Sequence, residues 1–156
     1  MEIERKFLVK TLPENLKQYQ HHQIEQGYLC TEPVVRIRRS DEKYILTYKG
    51  EGLLMREEYN LPLTKEGYEH LRTKADGILI TKKRYKIPYE KYMIELDIFE
   101  GELAPLCLVE VEFDSREEAE AFAPPEWFGE DVTFSGKYQN SCLSLHGLEG
   151  ISIENG

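Results

Sequence analysis

Apolar and polar side chains alternate along most of this chain at the period of two that belongs to β-strands. Met1 to Val9 reads M-E-I-E-R-K-F-L-V, so Glu2, Glu4 and Lys6 share one face and Ile3, Arg5, Phe7 and Val9 the other. Strand rise spaces successive charges on that face by about 7 Å. The same habit recurs at Ile24 to Cys30, Val34 to Arg39, Lys43 to Lys49, Met55 to Pro62, Ile78 to Ile87, Tyr92 to Phe99 and Cys107 to Phe113, which predicts eight strands. Turn-forming runs separate them, among them Thr31-Glu32-Pro33, Ser40-Asp41-Glu42, Gly50-Glu51-Gly52 and Pro88-Tyr89-Glu90.

Helical patterning is confined to short segments. A polar helix is predicted from Leu12 to about His22, with Pro13 in its first turn. Another runs from about Lys65 to Ala75, opened by Thr64 as N-cap and stopped by Gly77. A third, Arg116 to Ala123, follows a Ser115/Glu118 capping box. Pro124-Pro125-Glu126-Trp127 breaks the chain before a last helix at Gly136 to His146. Short strands with a few helices at the crossings predict an α+β fold, an eight-stranded antiparallel β-barrel with helices packed outside. Residues 1–148 are expected to form a single domain and 149–156 a polar C-terminal tail, and no internal repeat is visible.

The parity of the charges refines this picture. Arg36 and Arg38 share a face opposite Val35 and Ile37, and Lys49 opposes Leu46 and Tyr48. Arg56 and Glu58 oppose Tyr59 and Leu61, while Lys82 and Arg84 oppose Tyr85 and Ile87. Glu95 and Asp97 oppose Ile94, Leu96 and Ile98, and Glu110 and Glu112 oppose Val109, Val111 and Phe113. Together with Glu2, Glu4 and Lys6, seven cations meet seven carboxylates. For any one strand a solvated charged face is the commoner meaning. In a small barrel, however, helices can cover only the outside, so apolar residues packed beneath them turn the charged set inward around a wet, ligand-holding tunnel. Arginine forks and lysines converging from several strands suit a polyanion. Clustered carboxylates suit a hard cation such as Mg²⁺ or Mn²⁺, whereas the set holds no His or Cys to suit zinc.

Composition narrows the partners. A net charge of -9 opposes nonspecific binding to nucleic acid or an anionic membrane. Cys30, Cys107 and Cys142 are odd in number, lack ligand spacing and read as reduced thiols. No leader pattern and no long apolar run are seen, and a soluble, cytoplasmic protein is expected. His21, His22, His70 and His146 fall on predicted helices or their ends without companions at ligand spacing. Tyr28 and Trp127 are expected in the core.

These residues resemble the CYTH, or triphosphate tunnel metalloenzyme, superfamily. Its N-terminal E-x-E-x-K stands here as Glu2-Ile3-Glu4-Arg5-Lys6. Further elements follow in order: V-R-I-R at Val35 to Arg38, L-T-x-K-G at Leu46 to Gly50, R-x-E at Arg56 to Glu58 and K-x-R-Y at Lys82 to Tyr85. E-x-D at Glu95 to Asp97, E-G-E-L at Glu100 to Leu103, V-E-V-E-F at Val109 to Phe113 and Y-x-N at Tyr138 to Asn140 complete the series. E-x-E-x-K alone is weak, but the ordered series spans nearly the whole chain.

The resemblance implies a tunnel that binds triphosphates and cuts or rearranges them with a divalent metal, Mg²⁺ or Mn²⁺. Glu2, Glu4, Glu58, Glu110 and Glu112 match the metal-holding side; Lys6, Arg36, Arg38, Lys49, Arg56, Lys82 and Arg84 match the phosphate-binding side. It suggests in-line attack of metal-activated water on a terminal phosphoryl group, with Lys6, Glu4 and Arg38 as catalytic candidates. For Lys6, proton acceptance or water positioning stands beside simple phosphate contact. Glu95 and Asp97 are expected either to orient the arginines or to bind metal. The last helix plugs or lids the tunnel in relatives, where Lys137 either reaches phosphate or stays on the surface. Asn60 departs from the acid many relatives carry, which weakens the case for a second metal. The leading expectation is an inorganic tripolyphosphatase. Class IV adenylate cyclase, thiamine or nucleoside triphosphatase, and a noncatalytic polyphosphate or nucleotide sensor are the alternatives. The partner is a small triphosphate rather than nucleic acid or membrane, and a homodimer is left open.

Overall fold

The computed structural model describes residues 1–151, in which a single sheet curls into a nearly closed antiparallel barrel. The strands are β1 (Glu2–Val9), β2 (Gln20–Thr31), β3 (Val34–Ser40), β4 (Lys43–Lys49), β5 (Met55–Arg56), β6 (Glu58–Pro62), β7 (Asp76–Tyr89), β8 (Tyr92–Phe99), β9 (Cys107–Glu112) and β10 (Phe128–Asp131). Their order is β10-β1-β9-β8-β7-β2-β3-β4-β6, and β5 pairs with β1. The predicted Met55 to Pro62 strand is therefore real but bent at Glu57. Its first half pairs with β1 and its second with β4, which closes the ring.

The eight predicted strands all form, and β10 is a ninth stave that the pattern did not reveal. Phe128-Gly129-Glu130-Asp131 is too short and too polar to show alternation, and it exists because the far half of β1 leaves an edge open for it. The helix expected from Leu12 to His22 is a single 3-10 turn at Leu16–Gln18. Pairing of His21 and His22 with Tyr85 and Arg84 draws that stretch into β2, so tertiary pairing overrides the local helical pattern.

Helices α1 (Lys65–Arg72), α2 (Arg116–Ala121) and α3 (Asn140–His146) cover the barrel. The Thr64 hydroxyl accepts from the Gly67 amide at 2.9 Å, and the Ser115 hydroxyl from the Glu118 amide at 3.1 Å, as capping requires. Gly77 does not stop α1, which ends at Thr73. It opens β7 at φ +65°, where a Cβ would stand 2.1 Å from the Ser144 carbonyl oxygen. The last predicted helix divides at Gln139, whose extended ψ separates a 3-10 turn at Gly136–Tyr138 from α3.

Two apolar clusters follow from the strand parity. The first, with Ile3, Phe7, Ile94, Leu96, Val109, Val111, Phe113 and Phe122, contains the outward face of β1, β8 and β9, with Ala119 of α2 packed among them. Trp127 packs against it. The second joins Tyr28, Val34, Ile80, Phe99 and Leu108 with Leu143 of α3. By alternation those five strand residues point inward, so the barrel interior is apolar at one end, where α3 lies on β2 and β7. Leu148 and Ile151 pack against the same cluster; the rest of the expected tail, 152–156, lies outside the described residues. Among the described residues no helix is long and apolar enough to cross a membrane. The three cysteines are unpaired.

Candidate active site

The barrel encloses a cavity of about 250 Å³. Lys6, Arg36, Arg38, Lys49, Arg56 and Arg84 line it with Glu2, Glu4, Glu58, Glu95, Glu110 and Glu112, six cations against six acids. Each arrives by register. Glu4 faces Glu112 and Lys6 faces Glu110 across β1 and β9; Glu2 faces Arg56 across β1 and β5; Lys49 faces Glu58 across β4 and β6. Arg84 faces Asp97 across β7 and β8.

Lys82 and Asp97 complete the predicted fourteen but lie behind the cavity wall, 0% and 1% exposed. Asp97 accepts from Arg84 Nε at 2.7 Å and Nη2 at 2.8 Å, and its Oδ2 stands 2.7 Å from Lys82 Nζ. It orients the cation row and touches no ligand space. Glu95 stands 3.4 Å from Arg84 Nη1 and also pairs with Lys86, a β7 cation of the same parity as Lys82 and Arg84 that lies just beyond the K-x-R-Y motif. Lys137 stays away from the cavity and donates to the Gly150 carbonyl at 3.3 Å.

The acids are held in uneven states. Burial, then Glu110 and Glu2 nearby, push the Glu4 carboxyl up to about 8. Burial and the hydrogen bond with Glu58 push Glu2 up to about 7. Burial alone would raise Glu58 as well, but its hydrogen bonds with Glu2 and Asn60 and the charges of Lys49 and Arg36 hold it down at about 2. Burial opposes the charge of Glu110 too, yet Lys6 and Arg84 hold its carboxyl well below the usual range. Among the cations, burial and then Arg36 and Arg84 push Arg38 down to about 9. Burial pushes Lys82 down to about 7 against the pull of Asp97.

Arg36 shows most directly what the cavity lacks. Its Nη2 donates to the Thr47 hydroxyl at 3.2 Å, but its buried Nε has no partner. A desolvated guanidinium N–H without an acceptor is costly, and it belongs to a residue that lines the cavity. Asn60, which departs from the family pattern of an acid, donates to Glu58 at 2.9 Å and accepts from Thr47 at 2.6 Å, so it ties the acidic rim to the arginine wall.

Several groups in or behind the cavity wall had no signal in the charge parity. Gln26, fully buried behind the wall, accepts from Arg38 Nε at 2.8 Å. The segment before and into α3 supplies Gln139, Asn140 and Ser141. Lys6 Nζ donates to the Tyr138 carbonyl at 3.1 Å, and Lys82 Nζ to Asn140 Oδ1 at 3.1 Å. Their uncharged side chains and their place past the last predicted strand hid them. Beyond Arg38, Arg84 and Glu95 the interior widens into an outer cavity of about 670 Å³, reached past His22, Asp41, Lys43 and Lys86.

The donor set fits a hard divalent cation in its chemistry. It is all carboxylate, and Glu2 and Glu4 resist ionisation as the structure stands, the condition a cation among them would relieve. Among the described residues no three acidic, His or Cys side chains converge as a finished metal nest.

Comparison with known proteins agrees with this geometry. The CYTH domain family model matches residues 1–141. The chain is 43% identical over 149 residues to an inorganic triphosphatase of Nitrosomonas europaea, covering 92% of this chain and 97% of that one. It is 34% identical over 152 residues to an inorganic triphosphatase of Acetivibrio thermocellus, with 91% and 92% covered. A crystal structure of an inorganic triphosphatase superposes with TM-score 0.70 at 40% identity, over 93% of this chain and 95% of the other. A protein from Pyrococcus horikoshii shares the fold with TM-score 0.58 at 21% identity, over 77% of this chain and 84% of that one.

Proposed function

The chain belongs to the CYTH domain family, and from that premise we propose that it is a divalent-metal-dependent triphosphatase whose preferred substrate is inorganic tripolyphosphate. The observation that carries this reading is the set of six cations facing six carboxylates across one cavity of about 250 Å³. The two relatives named inorganic triphosphatase, matched over nearly their full lengths, support it.

Cavity lining favours an inorganic chain over a nucleotide. Its carbon-rich residues are Tyr28, Val34 and Ile45, and Tyr28 is 3% exposed within the apolar cluster. Among the described residues lining this inner cavity no exposed aromatic ring is offered to a base.

In this reading Arg36 and Arg38 grip phosphate oxygens through their planar forks, and Lys49, Arg56 and Arg84 complete the cradle. Lys6 sits between two acceptors, Glu110 and the Tyr138 carbonyl, a setting that favours phosphate contact over proton abstraction. Glu2, Glu4, Glu58, Glu110 and Glu112 would hold Mg²⁺ or Mn²⁺, which when bound supplies charge neutralisation at the phosphates and acidifies water. Water attacks the terminal phosphorus, the P–O–P bond opposite breaks, and the fixed cations take up charge growing on the departing diphosphate.

The test is release of phosphate or cyclic nucleotide from tripolyphosphate, ATP and thiamine triphosphate with Mg²⁺ or Mn²⁺. Tripolyphosphate should give the highest kcat/KM, yielding phosphate and diphosphate. Cyclic AMP as the main product from ATP, or metal-dependent binding without turnover, would overturn the proposal.

A further inference from the structure

The strands flanking β2 are the most cationic of the barrel: β3 brings Arg36 and Arg38, and β7 brings Lys82, Arg84 and Lys86. Between them, at the level of the arginines, β2 presents uncharged Ile24, Gln26 and Tyr28, with His22 further out toward Asp41, and Gln26 stands directly across from Arg38 in the register. Gln26 has no exposed surface, so its amide must be satisfied internally or cost stability.

Both ends of that amide are used. Its oxygen accepts from Arg38 Nε at 2.8 Å, and its nitrogen donates to Asn140 Oδ1 at 3.1 Å. The same Asn140 oxygen accepts from Lys82 Nζ at 3.1 Å, and Lys82 reaches Arg84 through Asp97. One amide thus ties the arginine of one wall to the first residue of α3 and to the cation row of β7.

We propose that Gln26 is a positioning residue for tripolyphosphate hydrolysis, which aims Arg38 by holding its Nε and does so with its own amide fixed by Asn140 of α3. This rests on the proposed triphosphatase function. The chemistry explains the residue type. With Nε occupied, the two terminal nitrogens of the guanidinium are left to meet phosphate oxygens. A carboxylate at 26 would hold Nε but would lose the donor to Asn140 and place a negative charge beside the incoming polyanion. An ammonium would repel Arg38. A neutral acceptor orients the guanidinium without cancelling its charge. The link to Asn140 makes the aim of Arg38 depend on α3 being seated, so the end of the chain helps set the site that the first strands build.

The experiment is steady-state kinetics with tripolyphosphate and Mg²⁺ on Gln26→Leu, Gln26→Glu, Arg38→Ala and the double variant Gln26→Leu/Arg38→Ala, each with a thermal melt. Gln26→Leu should lose on the order of tenfold in kcat/KM, the size expected for a lost hydrogen bond to a charged group. In the Arg38→Ala background the same change should have little further effect, because its target is gone. Gln26→Glu, which keeps the acceptor for Arg38 but replaces the donor to Asn140 Oδ1 by a second oxygen, should raise KM at least tenfold with a much smaller change in kcat, a split that loss of folded protein would not produce. Additive losses in the double variant, or wild-type KM in Gln26→Glu, would overturn the proposal, and the Glu variant decides the matter if Gln26→Leu does not fold. Wild-type kinetics in Arg38→Ala would instead overturn the underlying assignment of Arg38, which keeps the two failures apart.

Discussion

Replacing Glu4 by Gln should stabilise the fold and silence the site. Glu4 faces Glu112 in the register and is raised by burial, then by Glu110 and Glu2, to about 8 from an ordinary 4.5. Between those two values the folded chain binds a proton that the unfolded chain has released, so stability falls as pH rises from about 4.5 and levels off above about 8. The span from 4.5 to pH 7 corresponds to about 3 kcal/mol at 1.36 kcal/mol per unit. Part of that strain is shared with Glu2 and Glu110, so the net relief in Glu4→Gln should be about 2 kcal/mol at neutral pH. For a chain of this size that raises Tm by about 4–8 °C. Glutamine does not titrate, so the gain should be absent near pH 4.5 and complete near pH 8. Thermal melts of both proteins at pH 4.5, 6, 7 and 8 without divalent cation measure it. Added Mg²⁺ should then raise the Tm of the wild type more than that of the variant, because ligand binding to the folded state alone shifts the equilibrium. Phosphate release from tripolyphosphate should fall by at least about a hundredfold in the variant. A variant that melts below the wild type at pH 8, or a gain that does not depend on pH, would refute the reasoning.

Two further outcomes follow from a buried ion cluster behind the cavity and from the close approach of β7 to α3. Asp97→Asn removes the counter-charge that Lys82 and Arg84 share, and should cost about 3 kcal/mol in urea unfolding, the lower end for breaking a buried pair. Lys82 limits the loss because it already ionises at about 7 and can shed its proton; an unchanged urea midpoint would show that the triad carries no stability. Gly77→Ala puts a Cβ 2.1 Å from the Ser144 carbonyl at a positive φ, so α3 must move or β7 must shift. It should lose about 2 kcal/mol or more and reduce kcat/KM, since Asn140 and Gln139 are displaced with the helix; full activity with a wild-type melt would separate α3 from the site.

How far the site was legible follows from how each residue is held. Alternation alone assigned Glu2, Glu4 and Lys6 to one face, because parity is a local property that survives any folding of the strand. It failed where partners decide: His21 and His22 follow a helical pattern in isolation and become strand because β7 offers them an edge. Likewise β10 exists only because β1 outruns β5, and Gln26 and Asn140 gain their roles only by meeting across 114 residues of sequence.

The sequence by itself determined the eight alternating strands, the charged face of each, the resemblance to CYTH proteins and an acidic balance that opposes nonspecific binding to polyanionic surfaces. The tertiary structure decided which of those charges reach ligand space. It drew Lys82 and Asp97 out of the cavity into a buried pair, left Lys137 outside, and closed one end of the tunnel with inward apolar residues beneath α3. The reason is that side-chain direction repeats every two residues along a strand, whereas depth within the barrel depends on stagger between strands, and stagger is fixed only when all the staves are paired.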